Sequence, residues 1–166
     1  LDPDDEEEDD GGVVDAFPGA KNGLVMYDRA TDNVYGYPVA TRTEDDTDES
    51  FNNFQGPKDK VKTFYSDCGP ELRKAAKRMK WMHPTSTPGQ PKRNGLIERM
   101  FRRVKAGIVS NSSQSGLTKF WWPFAMMHFC FARNTNVVDG ESAYDRRHWE
   151  GHCKALRIPF GCIIEF

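Results

Sequence analysis

FYSDCGPEL at residues 64–72, HPTSTPGQPKRNG at 83–95 and IERMFRRVK at 97–105 set a short apolar run, a Pro/Gly-rich loop and a basic amphipathic segment in succession. The run over 61–66 is β-rich and ends at a carboxylate, Asp67. Pro70 then opens a predicted helix over 70–79, because a first-turn N–H has no intrahelical partner to lose. A second carboxylate, Glu98, falls in the opening turn of a longer helix predicted over 94–110 and is followed at once by cations. Two acidic groups at the ends of regular elements, beside phosphate-seeking side chains, point to metal-dependent chemistry on a nucleic-acid backbone.

Working outward, the residues from Gly12 to Thr41 read as three short strands, GVVDAF, GLVMYD and VYGYPVAT, with a turn at ATDN between the second and third. Residues 43–49 are polar and acidic, and Thr47 or Asp48 is placed to cap a short helix carrying Phe51 and Phe54. Met82 and its neighbours form a last small strand. A second long helix is expected over 118–133, starting near Phe120 with Pro123 in its first turn. The order β-β-β-α-β-α-β-α-α matches an α/β fold of the ribonuclease H-like kind, a mixed sheet with an antiparallel meander and parallel strands, flanked by helices. GCIIEF at 161–166 reads as a terminal strand.

The 166 residues are enough for one domain with a real core, and 37% hydrophobic and 12% aromatic residues supply it. No stretch of eighteen consecutive apolar residues exists, so no membrane association is expected. Cys68, Cys130, Cys153 and Cys162 show no paired spacing, and His148, His152 and Cys153 lack a second cluster to complete a tetrahedral zinc site, so free thiols are expected. Charge is divided sharply along the chain. Residues 1–50 carry 16 acidic and three basic side chains, and residues 51–166 carry nine acidic and 20 basic, which makes the second part the nucleic-acid-facing one. The run DPDDEEEDD at 2–10 self-repels and has nothing to bury, so residues 1–11 are expected to be a disordered acidic segment, a solvated linker or a screen over the basic face. Beginning at Leu1 and stopping within a strand-like segment, the chain reads as a piece of a longer polypeptide.

The helix that carries Glu98 has two readable faces. Ile97, Phe101, Val104 and Ile108 recur at helical spacing as the expected buried stripe. Glu98, Arg102, Lys105 and Val109 rise along a neighbouring face, with Arg99 and Arg103 beside them. The bland reading of that face is a Glu98–Arg102 surface ion pair worth tenths of a kcal/mol. The loop before it carries Lys92, Arg93 and Asn94 as polar contacts, with Gly89 and Gly95 as hinges of a mobile flap. The dense row Phe120, Trp121, Trp122, Phe124, Met127, Phe129 and Phe131 is read first as core packing and second as a multimer interface.

Taken together, MYDRATDNVYGYPVATRT, FYSDCGPEL with STPGQPKRNGLIERMFRRVK, KFWWPFAMMHFCFARNT, and SAYDRRHWEGHCKALRIPFGCIIEF resemble the catalytic core of a retroelement integrase, of the Copia-type or retroviral kind, over residues 12–166. NG-x-x-E-R at 94–99 is the sharpest of these motifs. The resemblance implies a core at 12–138, a C-terminal extension at 139–166, and two divalent ions, Mg²⁺ or Mn²⁺, held by two aspartates and a glutamate. Residue by residue these are Asp15 on the first strand, bridging both ions, Asp67 on one ion and Glu98 on the other. Only GGVV precedes Asp15 from the acidic segment onward, and the gap between Asp67 and Glu98 is a few residues shorter than is usual in the family. Ions about 4 Å apart activate a water or a DNA 3′-hydroxyl and stabilise the leaving oxygen.

The resemblance further implies DNA as partner, both element ends and target, contacted by Lys92, Arg93, Asn94, Arg99, Arg102, Arg103 and Lys105, together with homo-multimers and nuclear action. The expected activity is phosphodiester cleavage and strand transfer in the integration of a transposable element. The alternative is a decayed or domesticated fragment that keeps the fold and binds nucleic acid without catalysis. A ribonuclease H-like nuclease unrelated to integration stands third.

Overall fold

A computed structural model describes residues 19–57, 59–67, 69–85, 95–149 and 151–163. The expected first strand, with Asp15, and the acidic segment lie outside the described residues. The other two strands form as read: β1 (Asn22–Tyr27) pairs antiparallel with β2 (Val34–Val39), Met26 opposite Tyr35. The Asp28 amide donates to the Asn33 carbonyl at 2.8 Å and closes the hairpin. In the turn, the Asp28 carboxylate accepts from the Ala30 amide and the Thr31 hydroxyl, and Asp32 takes a left-handed φ of 65° that aspartate tolerates better than most residues.

Period-two alternation gives this hairpin two apolar faces. Leu24, Met26, Tyr35 and Tyr37 point to one side, where Phe51 and Phe54 of α1 (Glu44–Gln55), Ala75 and Ala76 of α2 (Pro70–Arg78) and Trp81 complete a core. Val25, Tyr27 and Val34 point to the other, against Met100 and Val104 of α3 (Gly95–Ser115) and Met126 and Cys130 of α4 (Trp122–Thr135). The result is a helix–sheet–helix sandwich, mixed α/β, with five helices and a two-stranded sheet among the described residues. At 61–66 and around Met82, where the sequence predicts two further strands, the described residues form only isolated parallel bridges, Thr63–Met82 and Ser66–Thr85.

Four details differ from the sequence reading. The cap of α1 is Thr43, whose hydroxyl accepts from the Asp46 amide, and not Thr47 or Asp48. Glu44, Asp45 and Asp46 thereby enter the first turn, where the positive end of the helix favours carboxylates. In α3 the buried residues are Met100, Val104 and Gly107, while Phe101 is 44% exposed. The stripe is rotated because Gly107 lets α4 approach: a Cβ there would lie 2.1 Å from Phe129 Cδ2.

Of the aromatic row only Trp122 and Phe129 pack against the second core, and both are only partly buried. Ala125, Met126 and Cys130 are buried, whereas Phe120, Trp121, Met127 and Phe131 each keep more than a third of their surface. Gly36 of β2 explains this, since a Cβ there would meet Met126 at 2.6 Å, and a flexible thioether fits where a ring does not. Finally, residues 157–163 form no strand. Their path ends in a turn closed from the Cys162 amide to the Pro159 carbonyl, and residues 164–166 lie outside the described residues.

The last short helix, α5 (Ala143–His148), begins with a complete capping box between Ser142 and Asp145. It is locked to the first core by Arg147, whose side chain is buried. The guanidinium donates to the Phe54 carbonyl, pairs with Asp59 at 3.1 Å, and lies 4.6 and 5.0 Å from the Phe54 and Tyr35 ring centroids. No helix among the described residues is long and apolar enough to cross a membrane.

Candidate nucleic-acid and metal site

The segment ending at Asp67 is held along its length. The Phe64 amide donates to the Met82 carbonyl at 2.8 Å, and the Met82 amide to the Lys62 carbonyl at 3.0 Å. Phe64 packs edge-on to Phe51 at 4.8 Å and lies 6.0 Å from Trp81. The next inward group is Ser66, whose hydroxyl donates to the Asp67 carbonyl and contacts His83 Nε2, both at 2.8 Å. The His83 ring stacks on Phe64 at 5.0 Å. Burial, with Arg73 adding to it, holds the His83 imidazole below its ordinary pKa, and the charge of Asp67 offsets only part of this. Asp67 itself is exposed.

Glu98 occupies the first turn of α3 on the solvent side, as its face reading requires. Arg99, Arg102, Arg103 and Lys105 are exposed too. The Glu98–Arg102 pair is not formed, and neither Arg99 nor Arg103 is engaged by a described carboxylate. Lys105 lies 5.9 Å from the Phe101 ring centroid, so the displaced Phe101 supports the cation from the same outer surface. The face therefore presents four cations and one carboxylate to solvent over an apolar underside.

Asp15, Lys92, Arg93 and Asn94 lie outside the described residues. Among the described residues no three His, Cys, Asp or Glu side chains converge as a metal cluster, and no hydrogen bond joins Asp67 to Glu98. Their donor chemistry nonetheless fits a hard divalent ion, since both are carboxylates with free oxygens, and such an ion keeps waters and takes phosphate oxygens beside a few carboxylates. The His148, His152, Cys153 run makes no metal site either: His152 contacts the Asp145 carboxylate and His148 packs on Tyr144 at 4.4 Å.

The reading of the sequence missed His83 and Ser66. They lie seventeen positions apart, and the parallel bridges Thr63–Met82 and Ser66–Thr85 bring their segments side by side. It missed Asn134 as well, whose amide accepts from the Val34 N–H at 2.9 Å and donates to the Val34 carbonyl at 2.8 Å. That side chain stands in for a neighbouring strand on the edge of β2 opposite β1.

The geometry defines a mixed α/β protein that displays two free carboxylates and a basic helix face. No protein-family model matches the chain. It is 28% identical over 151 residues to a retrovirus-related Pol polyprotein from transposon RE1 of Arabidopsis thaliana, a match covering 84% of this chain and 10% of that protein. The chain thus resembles part of a retroelement polyprotein and spans a small fraction of its length.

Proposed function

We propose that this chain is the catalytic core of a retrotransposon integrase with a ribonuclease H-like fold, acting on DNA by divalent-metal-dependent phosphodiester cleavage and strand transfer. The observation that carries the reading is the outer face of α3, where Glu98 stays unpaired although Arg102 sits one turn away. A carboxylate left free beside cations is available to a metal, and the cations are available to phosphates. The likeness to a retroelement polyprotein supports the same assignment.

In this reading Asp67 and Glu98, with Asp15, hold two Mg²⁺ or Mn²⁺ ions. When bound, such ions supply Lewis-acid activation of the attacking oxygen and stabilise the leaving one. The chain's own contribution is positional. The bridged segment at Ser66 carries Asp67, the first turn of α3 carries Glu98, and packed residues beneath each limit their movement. Arg99, Arg102, Arg103 and Lys105, with Lys92, Arg93 and Asn94 ahead of them, bind the DNA backbone and set its direction along the helix. Homo-multimers and nuclear action belong to the same proposal.

The test is a nicking and joining assay on short DNA duplexes in Mn²⁺ with the wild-type chain and Glu98→Gln. Products made by the wild type and lost in the variant support the reading. DNA binding by both proteins with no products from either favours the second one, a decayed core that only binds nucleic acid. The short Asp67–Glu98 gap is the observation behind that alternative.

A further inference from the structure

We infer that His83, acting through the Ser66 hydroxyl, is the positioning residue that holds Asp67 in place. The inference deepens the reading above, in which Asp67 holds a divalent ion.

A serine hydroxyl has one proton to give. Ser66 donates it to the Asp67 carbonyl at 2.8 Å, so the 2.8 Å contact with His83 has to be made by the imidazole's own N–H. Nε2 is therefore the donor and Nδ1 the bare nitrogen. Consistent with that tautomer, Nδ1 is buried and has no hydrogen-bond partner among the described residues. A chain of two hydrogen bonds then runs from the His83 ring through Ser66 to the backbone of Asp67.

The ring is itself anchored, stacked on Phe64 at an interplanar angle of 28°, and Phe64 packs on Phe51, which is fully buried. Thr85, two residues beyond His83, bridges back to Ser66. The rigidity of the first core is thus carried out to an exposed carboxylate that nothing else among the described residues supports. Metal-holding carboxylates need placement to within about 0.5 Å, and outer partners that orient ligands are worth about 10- to 100-fold in metal affinity.

Two variants separate the hydrogen bond from the packing. His83→Phe keeps the ring stack and removes the donor, and His83→Gln keeps an N–H at the Nε2 position and gives up the stack. Imidazole ¹⁵N spectra of the wild type should show the Nε2–H form. Relative to wild type, His83→Phe should move the Asp67 carbonyl ¹³C resonance, because that carbonyl accepts from Ser66 and the variant removes the donor behind Ser66. It should also weaken Mn²⁺ binding about tenfold at an unchanged Tm, and His83→Gln should restore both the carbonyl resonance and the affinity.

An Nδ1–H tautomer, or a His83→Phe protein with a wild-type Asp67 carbonyl resonance, would overturn the inference. Were Mn²⁺ binding indifferent to Asp67→Asn, the metal reading would fall. The tautomer and the carbonyl resonance, both measured without metal, would still decide the role of His83.

Discussion

Asn134 shows how one side chain closes an edge that a strand would otherwise close. Val34 is fully buried, and both of its backbone groups rely on that amide. Asn134→Ala should therefore cost about 2–4 kcal/mol, the range for orphaning a buried donor and acceptor together, read by urea unfolding. Asp32 makes a pH-dependent contribution. Burial works against its charge, but hydrogen bonds from Tyr27 at 2.7 Å and Arg133 at 2.9 Å outweigh this and hold the carboxyl below its ordinary pKa. Because the folded pKa is depressed, the stabilisation is complete above the ordinary value near 4 and is lost as pH falls through the folded one. Asp32→Asn should flatten that acid limb in stability measured from neutral pH downward. Burial pushes the Cys130 thiol up to about 12, so a thiol reagent should label exposed Cys162 quickly and Cys130 only on unfolding. Glu98 falls in the first turn of α3, where its helical spacing places it, whereas Asp67 follows an isolated bridge at Ser66 and not a strand. Asn134 and His83 were not readable in the sequence, because their partners lie 100 and 17 residues away.

At the scale of elements, α3 decides how the second core closes on the sheet. Its apolar spacing was legible in sequence, but its rotation was not. The buried line passes through Met100 and Gly107 instead of Phe101, and a glycine's value as a contact point does not register in a hydrophobic pattern. Gly107→Ala should destabilise by about 1–3 kcal/mol through overpacking against Phe129, whereas Val109→Ala on the exposed side of the same helix should be nearly neutral. The aromatic row of α4 was half legible for a related reason: Trp122 and Phe129 pack on the core as ring size suggests, while the close approach at Gly36 gave the buried place to Met126. The strands β1 and β2 were legible to within a residue or two, since alternation and the Asp/Asn turn agree there. Residues 61–66 and 82–85 were legible as β-rich, but they pair only through two bridges.

Across the whole molecule, the two apolar faces of one hairpin explain the layering, and the charge division along the chain explains the basic outer surface. If α3 lies along a DNA backbone, binding should weaken with salt at about 0.9 log unit per log unit for each phosphate neutralised. Arg102→Ala combined with Lys105→Ala should reduce that slope by about two while leaving Tm unchanged, because both side chains stand in solvent. The central claim is that Asp67 and Glu98 belong to one divalent-metal site, and calorimetric titration of the chain with Mn²⁺ tests it most directly. Saturable binding in the wild type, lost or strongly weakened in both Asp67→Asn and Glu98→Gln, is the predicted result. Equal binding in all three proteins, or none in the wild type, would contradict it.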